Sequence, residues 1–384
     1  MSIFNKNQTK DKNYISAKES ARISRENRKV TRAMEKEHNR KNVPESEYLT
    51  TMRDPNNIVE FDDVHTYFFT DIGVSKAVDG VSFDVPRGKT VGIVGESGCG
   101  KSVTSLSLMQ LVQRPVGQTV QGEIRLNLGD KAYDVVKVPT KVMQTIRGDR
   151  ISMIFQEPMT SLNPIFRIGQ QIEEVLELHM PNNTKEENKA RCMELLQMVG
   201  IANREGVYKM YPHELSGGMR QRVMIAIAIA CNPDLIIADE PTTALDVTIQ
   251  AQILDLLRDI KAKSNSSIML ITHDLGVIAE MADIVVVMYS GRVVEKGTVY
   301  EVFDHPCHPY TIGLMKSKPV VGQRVDQLYN IPGSVPNPIN MPDYCYFRDR
   351  CAYRCDKCMG DYPEFIQLSE THFVSCYRDF GEDK

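Results

Sequence analysis

From about Ile58 onward, short apolar runs rich in β-branched residues alternate with stretches whose apolar positions repeat with a helical period. Runs of four or five apolar residues are typical of strands buried on both faces, as in a parallel sheet whose strands are joined by helices. The predicted strands are residues 90–94, 151–155, 235–239, 268–272 and 284–288. The predicted helices are residues 101–110, 219–231, 247–263 and 275–281. The pattern therefore predicts an α/β fold with a parallel sheet.

Two internal segments break this alternation. Residues 157–215 have little strand character and predict a helical insert, which with the following helix gives a helical subdomain of about residues 157–225. Residues 330–343 contain Ile-Pro-Gly-Ser-Val-Pro-Asn-Pro and predict a proline-rich linker. We therefore expect three parts, which are an N-terminal extension, an α/β domain and a C-terminal region at residues 1–55, 56–300 and 301–384.

The N-terminal extension is rich in Lys, Arg, Asn, Glu and Ser and poor in apolar residues. Such a composition buries too little surface to offset the entropy lost on ordering, which predicts a disordered or partly helical tail. Residues 1–41 hold 12 Lys or Arg against five Asp or Glu. The alternative is therefore a basic arm that touches anionic lipid or a partner.

The rest of the chain is acidic, with 34 Lys or Arg against 45 Asp or Glu after residue 41. This charge argues against nucleic acid as the main partner. The longest apolar run, Val223 to Cys231, has nine residues, whereas a membrane-spanning helix needs about 20, so we expect no spanning segment. No secretory signal pattern opens the chain, so its nine cysteines are expected in a reducing compartment, where clustered cysteines more often bind metal than form disulfides.

Residues 95–102 read Gly-Glu-Ser-Gly-Cys-Gly-Lys-Ser and fit the phosphate-loop pattern G-x-x-x-x-G-K-[ST], between a predicted strand and a predicted helix. The glycines let backbone N–H groups close around phosphate oxygens, and the helix N-terminus adds partial positive charge. Lys101 is expected to reach the β and γ phosphates and Ser102 to bind Mg²⁺. The predicted nucleotide-binding residues of this loop are Gly95, Glu96, Ser97, Gly98, Cys99, Gly100, Lys101 and Ser102.

Two acids, Asp239 and Glu240, end the apolar run that begins at Leu235. A buried parallel strand presents its carboxyl end at the edge of the sheet where ligands bind, so both acids are expected there. Asp239 suits Mg²⁺ coordination, and Glu240 can polarise an attacking water. His273 ends the next predicted strand, and this place favours a γ-phosphate contact over an ordinary surface position.

The stretch Leu215-Ser216-Gly217-Gly218-Met219-Arg220-Gln221-Arg222 resembles the signature motif of the ATP-binding-cassette (ABC) ATPases. Other motifs follow in that family's order: Gln156 matches the Q-loop, residues 244–246 with Asp246 match the D-loop, and His273 matches the switch histidine. The resemblance covers about residues 56–300 and implies an ATP-hydrolysing domain. Its implied catalytic residues are Glu240, His273 and Gln156, and its implied Mg²⁺ residues are Ser102, Gln156 and Asp239.

In this family the signature motif acts in trans, on nucleotide held by the phosphate loop of a partner. The resemblance assigns that role here to Ser216, Gly217, Gly218 and Gln221. An aromatic residue upstream of the phosphate loop usually stacks on adenine in the family. Tyr67 is our candidate, and Phe68 is the alternative because the aromatic run at residues 67–69 leaves the register open.

Three further stretches narrow the resemblance to the D-type ATPase of oligopeptide/dipeptide importers. They are residues 237–252, residues 159–164, and His308-Pro309-Tyr310-Thr311 with Ile331-Pro332-Gly333-Ser334. This resemblance covers about residues 56–378 and implies ATP-driven peptide import at the cytoplasmic face of the cell membrane. The implied partners are two transmembrane permease subunits, a second ATPase of the F type in a heterodimer and, indirectly, an extracellular peptide-binding protein.

Five cysteines crowd into the C-terminal region with the spacing Cys345-x5-Cys351-x3-Cys355-x2-Cys358-x17-Cys376. Four thiolates can hold zinc or a [4Fe–4S] cluster, and unmetallated thiols are a third alternative. The family pattern C-x5-C-x6-C-x17-C implies a [4Fe–4S] cluster on Cys345, Cys351, Cys358 and Cys376, which leaves out Cys355. The nucleotide site is built from residues far upstream, so we expect ATP binding to be independent of this cluster.

Other function classes fit the sequence less well. A soluble ABC protein of DNA repair, chromosome structure or translation usually carries two cassettes, a long coiled-coil insertion or zinc insertions, and this sequence has one cassette with no such insertion. A non-catalytic cassette would normally lack Glu240, His273 or the signature serine, and all three are present. Nickel, glycoside and antibiotic-peptide importers share this ATPase type, so the transported substrate stays open.

Overall fold

The computed structural model describes residues 15–243, 245–317 and 329–380. Its strands are β1 (Leu49–Thr50), β2 (Asn57–Phe69), β3 (Val74–Pro86), β4 (Thr90–Val94), β5 (Gly117–Asn127), β6 (Ala132–Asp134), β7 (Ile151–Ile154), β8 (Leu235–Asp239), β9 (Ser267–Ile271), β10 (Ile284–Tyr289), β11 (Arg292–Thr298), β12 (Phe365–Gln367) and β13 (Phe373–Ser375). Its helices are α1 (Ala17–His38), α2 (Lys101–Leu108), α3 (Thr140–Ile146), α4 (Pro158–Ser161), α5 (Ile168–His179), α6 (Lys185–Met198), α7 (Arg204–Lys209), α8 (Gly217–Ala228), α9 (Val247–Ser264), α10 (Leu275–Met281), α11 (Val299–Asp304) and α12 (Pro309–Lys316).

The larger sheet has eight strands in the order β12-β13-β11-β10-β4-β9-β8-β7. The five strands from β10 to β7 run parallel to one another, whereas β11 pairs antiparallel with β10. All residues of β4, β7, β8 and β9 are buried, because helices cover one face of this part of the sheet and a second sheet, together with α2, covers the other. The predicted α/β class is confirmed, and the predicted strands lie within one residue of the observed ones.

A second sheet has five antiparallel strands in the order β1-β6-β5-β2-β3. The long strands β2 and β3 pair along most of their length, and Phe61 stacks on Phe83 between them with ring centroids 4.4 Å apart. These strands were absent from the sequence prediction because their mixed polar and apolar pattern gives no continuous apolar run. The buried side chains of β2 and β3 lie in one hydrophobic core with those of β4 and α2. The second sheet therefore supports the helix that follows the phosphate loop.

The predicted helical insert is confirmed. Among the described residues between 157 and 215, helices α4 to α7 are joined by turns, with no strand. Helices α5 and α6 pack through buried apolar side chains, which are Ile168, Ile172, Leu176, Cys192, Leu195 and Leu196. This packing explains how a segment without a sheet of its own stays ordered.

The N-terminal extension differs from the expected disorder over part of its length, since Ala17–His38 form helix α1. Ser16 caps the helix by accepting a hydrogen bond from the N–H of Glu19. One face docks on the second sheet: Asn27 donates to the carbonyl of Thr70 at 2.7 Å, and Thr31 is buried. The partly helical alternative therefore describes these residues, because capping and docking offset the weak apolar content.

The opposite face of α1 is cationic and exposed. Within the described residues none of its six outward-facing cations makes an ion pair; they are Lys18, Arg25, Arg28, Lys29, Arg32 and Lys36. In the part of the chain that the structure describes, no helix has the length and apolar character needed to cross a bilayer.

The described C-terminal residues extend the larger sheet. Strand β13 pairs antiparallel with β11, and β12 pairs with β13. The predicted linker at residues 330–343 has no helix or strand, but it is anchored, because Lys76 donates its backbone N–H to the carbonyl of Pro338 and Asn340 to that of Val74. Cys345, Tyr346 and Phe347 are buried in the same hydrophobic core as Tyr289 and Tyr310. This region therefore folds on the α/β domain and is continuous with it.

Candidate functional site

The phosphate loop connects β4 to α2 and needs glycine at specific positions. Gly95, Gly98 and Gly100 all have positive φ, at 153°, 79° and 99°. A Cβ on Gly95 would lie 2.2 Å from the carbonyl oxygen of Met288, and one on Gly100 would lie 2.2 Å from that of Ala77. A Cβ on Gly98 would meet nothing within 4 Å. The loop is thus pressed against both sheets and open at its middle.

The two residues that begin α2 already contact other parts of the predicted site. The Nζ of Lys101 donates to the carbonyls of Gly95 and Glu96 at 2.8 and 3.1 Å. The Oγ of Ser102 donates to Oδ1 of Asp239 at 3.1 Å. Cys99 is buried, which raises the pKa of its thiol, so this side chain packs inside the loop. The phosphate loop and the end of β8 therefore form one site.

The carboxylate of Glu240 is held by three side chains, two that follow neighbouring strands and one in its own turn. The Nε2 of Gln156, which follows β7, donates to Oε2 of Glu240 at 2.8 Å. The Nδ1 of His273, which follows β9, lies 3.3 Å from Oε1, and Thr243 donates to Oε2 at 2.8 Å. The structure therefore brings together Gln156, Glu240 and His273, the three predicted catalytic residues.

Backbone geometry and burial distinguish the two neighbouring acids. Glu240 has a φ of 47°, in the left-handed region, so the chain turns sharply after β8 and aims this carboxylate along the edge of the sheet. Burial raises the pKa of Asp239, while the hydrogen bond from Ser102 and the charge of Lys101 oppose that shift. A divalent cation would supply the positive charge that favours ionised Asp239.

The signature residues at the start of α8 divide into an exposed and a buried group. Ser216 and Gly217 are exposed, and Ser216 caps the helix by accepting from the N–H of Met219 at 3.3 Å. Gln221 is only 2% exposed. It lies five residues after Ser216, about 140° around the helix, so its side chain faces the core. This burial argues against the predicted contact of Gln221 with a partner's nucleotide, a correction that the helical period could have given.

Two other predicted residues have local roles in the structure. Asp246 is exposed and caps α9 by accepting from the N–H of Ile249 at 3.0 Å; Ala244 of the same motif lies outside the described residues. The hydroxyl of Tyr67 donates to Oδ1 of buried Asp79 at 2.5 Å. Tyr67 is thus tied to Asp79 by its hydroxyl, and its stacking on adenine stays a prediction, as does the alternative role of Phe68.

Sequence reasoning missed two residues that hold the phosphate loop. The hydroxyl of Tyr310 accepts a hydrogen bond from the N–H of Glu96 at 2.7 Å. The guanidinium of Arg350 contacts the carboxylate of Glu96 at 2.7 Å. Tyr310 lies in the His-Pro-Tyr motif noted above, which carried a resemblance but no physical role. The cysteine segment therefore contacts the phosphate loop, and the expected independence of ATP binding from the cluster stays a prediction.

The four cysteines of the predicted cluster are enclosed to different degrees. Cys345 and Cys358 are buried, Cys351 and Cys376 are partly buried, and Cys355 is exposed. Burial raises the pKa of Cys345 to about 12 and that of Cys376 to about 11, with neighbouring thiols adding to both shifts. These buried thiols therefore need a nearby positive charge to ionise.

Backbone N–H groups point at two of these four sulfurs. The N–H of Tyr353 donates to Sγ of Cys351 at 3.3 Å, and that of Arg378 to Sγ of Cys376 at 3.4 Å. Hydrogen bonds of this kind stabilise negative charge on a metal-bound sulfur. The donor set thus fits thiolate ligands.

Outside the four cysteines, one group of side chains in the described residues brings three potential metal ligands within 4.8 Å of one another: Glu295, Cys307 and His372. There the carboxylate of Glu295 is occupied by His372 at 2.8 Å and by backbone N–H groups, which makes the group a structural hydrogen-bond network.

Comparison with known proteins relates the chain to two family models. The model described as ABC transporter matches residues 78–243, and the model described as oligopeptide/dipeptide transporter, C-terminal region, matches residues 294–358. The oligopeptide transport ATP-binding protein AppD of Bacillus subtilis (strain 168) is 53% identical over 320 residues, which is 83% of this chain and 96% of that protein.

Two other similarities extend this result. The dipeptide transport ATP-binding protein DppD of Lactococcus lactis subsp. cremoris (strain MG1363) is 46% identical over 320 residues, 83% of this chain and 90% of that protein. A solved structure, described as a dimeric post-hydrolysis state of the ATP-binding cassette MJ0796 bound to ADP and Pi, is 27% identical with a TM-score of 0.56. It covers 63% of this chain and 98% of that structure, so the similarity is confined to part of the chain.

We predict that Glu240→Gln keeps ATP binding and lowers ATP hydrolysis at least about 100-fold, because the amide keeps the shape but cannot take a proton from water. Lys101→Ala should instead weaken ATP binding itself. Glu280→Gln, an exposed carboxylate paired with Arg258, is the matched control and should hydrolyse ATP at the wild-type rate. Phosphate release and binding of a fluorescent ATP analogue measure the two effects. Hydrolysis by Glu240→Gln near the wild-type rate would contradict the assignment of Glu240.

Proposed function

This chain belongs to the ATP-binding subunits of the oligopeptide/dipeptide ABC transporters, and from that membership we propose that it hydrolyses ATP to power the import of oligopeptides or dipeptides. The observation that carries the proposal is the meeting of the phosphate loop, Asp239, Glu240, His273 and Gln156 at one edge of a parallel sheet. The match of the C-terminal region to a peptide-transporter model favours peptides over other cargo.

In the proposed mechanism the phosphate loop binds the β and γ phosphates of MgATP. Lys101 turns its ammonium from the loop carbonyls to the phosphates. Ser102, Gln156 and Asp239 would hold Mg²⁺, which would supply positive charge beside the phosphates. Glu240 then accepts a proton from the attacking water, while Gln156 and His273 hold its carboxylate in place.

A complete site requires a second cassette. Ser216, Gly217 and Gly218 offer a hydroxyl and helix N-terminal N–H groups, and the exposure of Ser216 and Gly217 leaves them accessible to nucleotide on a partner. Asp246, also exposed, would lie in the same interface. We propose a heterodimer with a related F-type ATPase, with a homodimer of this chain as the alternative.

The helical insert is the proposed contact with two transmembrane permease subunits. Phe155, Ile165 and Phe166 are 38%, 73% and 45% exposed, which is unusual for large apolar side chains so close in sequence. Gln156, between this surface and Glu240, can couple occupancy of the nucleotide site to the orientation of the insert. An extracellular peptide-binding protein would act through the permeases, and we assign no nucleic-acid partner.

We predict that Ile165→Ser combined with Phe166→Ser lowers recovery of this chain with membranes that carry the permeases by about tenfold or more, because two apolar contacts are lost. Tyr300→Ser is the matched control, since Tyr300 is 77% exposed on α11, outside the insert. Quantitative blotting of washed membranes measures recovery, and circular dichroism checks the fold. Equal recovery of the double variant and the wild type would contradict the placement of the permease contact.

The same assembly sets the proposed location, peripheral on the cytoplasmic face of the cell membrane. Membership in a transporter family supports this location. The six exposed cations of α1 add a surface that suits anionic headgroups. Our proposed domains are the extension at residues 1–55, the ATPase domain at 56–300 with its helical subdomain at about 157–225, and the C-terminal region at 301–384.

We further propose that Cys345, Cys351, Cys358 and Cys376 hold a [4Fe–4S] cluster. Their N–H···S hydrogen bonds and burial support thiolate ligands, and the match of their sequence spacing to the family pattern favours the cluster over zinc. When bound, the cluster would supply positive charge and four cross-links to a region with little regular structure. The chain's own contribution is to enclose the sulfurs and donate N–H groups to them, so the proposed role is to stabilise the fold.

We predict that anaerobically purified protein contains about four irons per chain. Cys351→Ser should lose the iron and its brown colour, whereas Cys355→Ser should keep them because Cys355 is exposed and lies outside the matching spacing. Metal analysis and the visible absorption spectrum provide the measurement. Stoichiometric zinc without iron would overturn the cluster identity, and iron loss in Cys355→Ser alone would overturn the ligand assignment.

A further inference from the structure

Arg350, the residue before Cys351, reaches the phosphate loop although 254 positions separate it from Glu96. Its Nη1 lies 2.7 Å from Oε2 of Glu96 and its Nη2 lies 3.1 Å from Oε1. Two parallel hydrogen bonds between a guanidinium and a carboxylate fix both distance and orientation. The Arg350 side chain is 4% exposed, against 31% for Glu96, so the pair is largely shielded from solvent.

The other donors of Arg350 are held by its own surroundings. Its Nε donates to the carbonyl of Pro332 at 3.0 Å, and its Nη2 also donates to that of Ile331 at 3.3 Å. Its Nη1 donates to the hydroxyl of Tyr289 at 3.4 Å. Because these partners restrain the guanidinium from several directions, it acts as a fixed cation beside the loop.

Glu96 is the point where three parts of the molecule meet. Its N–H donates to the hydroxyl of Tyr310, its carboxylate binds Arg350, and its carbonyl accepts from Nζ of Lys101 at 3.1 Å. Tyr310 is buried, and its ring packs against Phe347 with centroids 5.5 Å apart. The cysteine segment and the His-Pro-Tyr motif therefore hold the same residue of the loop.

We propose that Arg350 is a positioning residue that neutralises Glu96 and thereby sets the affinity of the phosphate loop for ATP. A carboxylate on a loop that binds a polyanion opposes binding, and a fixed guanidinium cancels that charge and restrains the loop. Arg350 acts through Glu96, and no contact of its own with nucleotide is required. The inference rests on the proposed binding of ATP and makes the cysteine-bearing segment part of the nucleotide site.

The test measures the dissociation constant of a fluorescent ATP analogue from the full chain, under conditions in which no nucleotide is hydrolysed. Arg350→Gln should raise it about fivefold or more, because Glu96 is left with an uncompensated charge. Arg350→Gln combined with Glu96→Gln should return it to within about twofold of wild type, since the uncompensated charge is gone. Arg350→Lys should fall between wild type and Arg350→Gln, because it keeps the charge without the paired hydrogen bonds.

Arg348→Gln is the matched control, because Arg348 lies in the same segment, packs on the ring of Tyr344 and makes no contact with Glu96. It should leave the dissociation constant unchanged, and the melting temperature of each variant is measured beside it. The inference is overturned if Arg350→Gln binds the analogue as tightly as wild type does. It is also overturned if the double variant, with Glu96→Gln added to Arg350→Gln, still binds the analogue weakly. If Arg350→Gln does not fold, the double variant and Arg350→Lys decide the question. Failure of wild type to bind the analogue would instead contradict the proposed function.

Discussion

The phosphate loop can take its observed path only because residues 95 and 100 have no side chain. At each position a Cβ would lie 2.2 Å from a carbonyl oxygen, of Met288 on β10 at one and of Ala77 on β3 at the other. The loop therefore lies wedged between the two sheets, and the positions of β10 and β3 determine where its N–H groups point. The positions of Lys101, Ser102 and Glu96, and through them the contacts with Asp239 and Arg350, depend on this wedge.

Features that depend on consecutive residues could be predicted from the sequence. Strands β4 and β8 are predicted with their observed bounds, because a short apolar run rich in β-branched residues is typical of a strand buried in a sheet. Gln156, Glu240 and His273 meet because each follows a parallel strand, and parallel strands end at the same edge.

Features that depend on contacts between distant segments could not be predicted. Helix α1 is stabilised by docking on the second sheet through residues such as Thr31, which its composition alone does not indicate. The pairing of Arg350 with Glu96 joins two segments whose local patterns carry no sign of each other. Gln221 is a different case, because the helical period by itself places its side chain on the buried side of α8, whereas the residue types of the motif do not indicate burial.

The central claim is that ATP hydrolysis by this chain powers peptide import. The direct measurement is uptake of a labelled oligopeptide into proteoliposomes that hold this chain, its partner ATPase and both permeases, with the binding protein outside and ATP inside. We expect uptake with ATP, and no uptake with a non-hydrolysable analogue or when the Glu240→Gln variant replaces the wild-type chain. Uptake that persists without hydrolysis by this chain, or an active complex that moves nickel or a glycoside and no peptide, would contradict it.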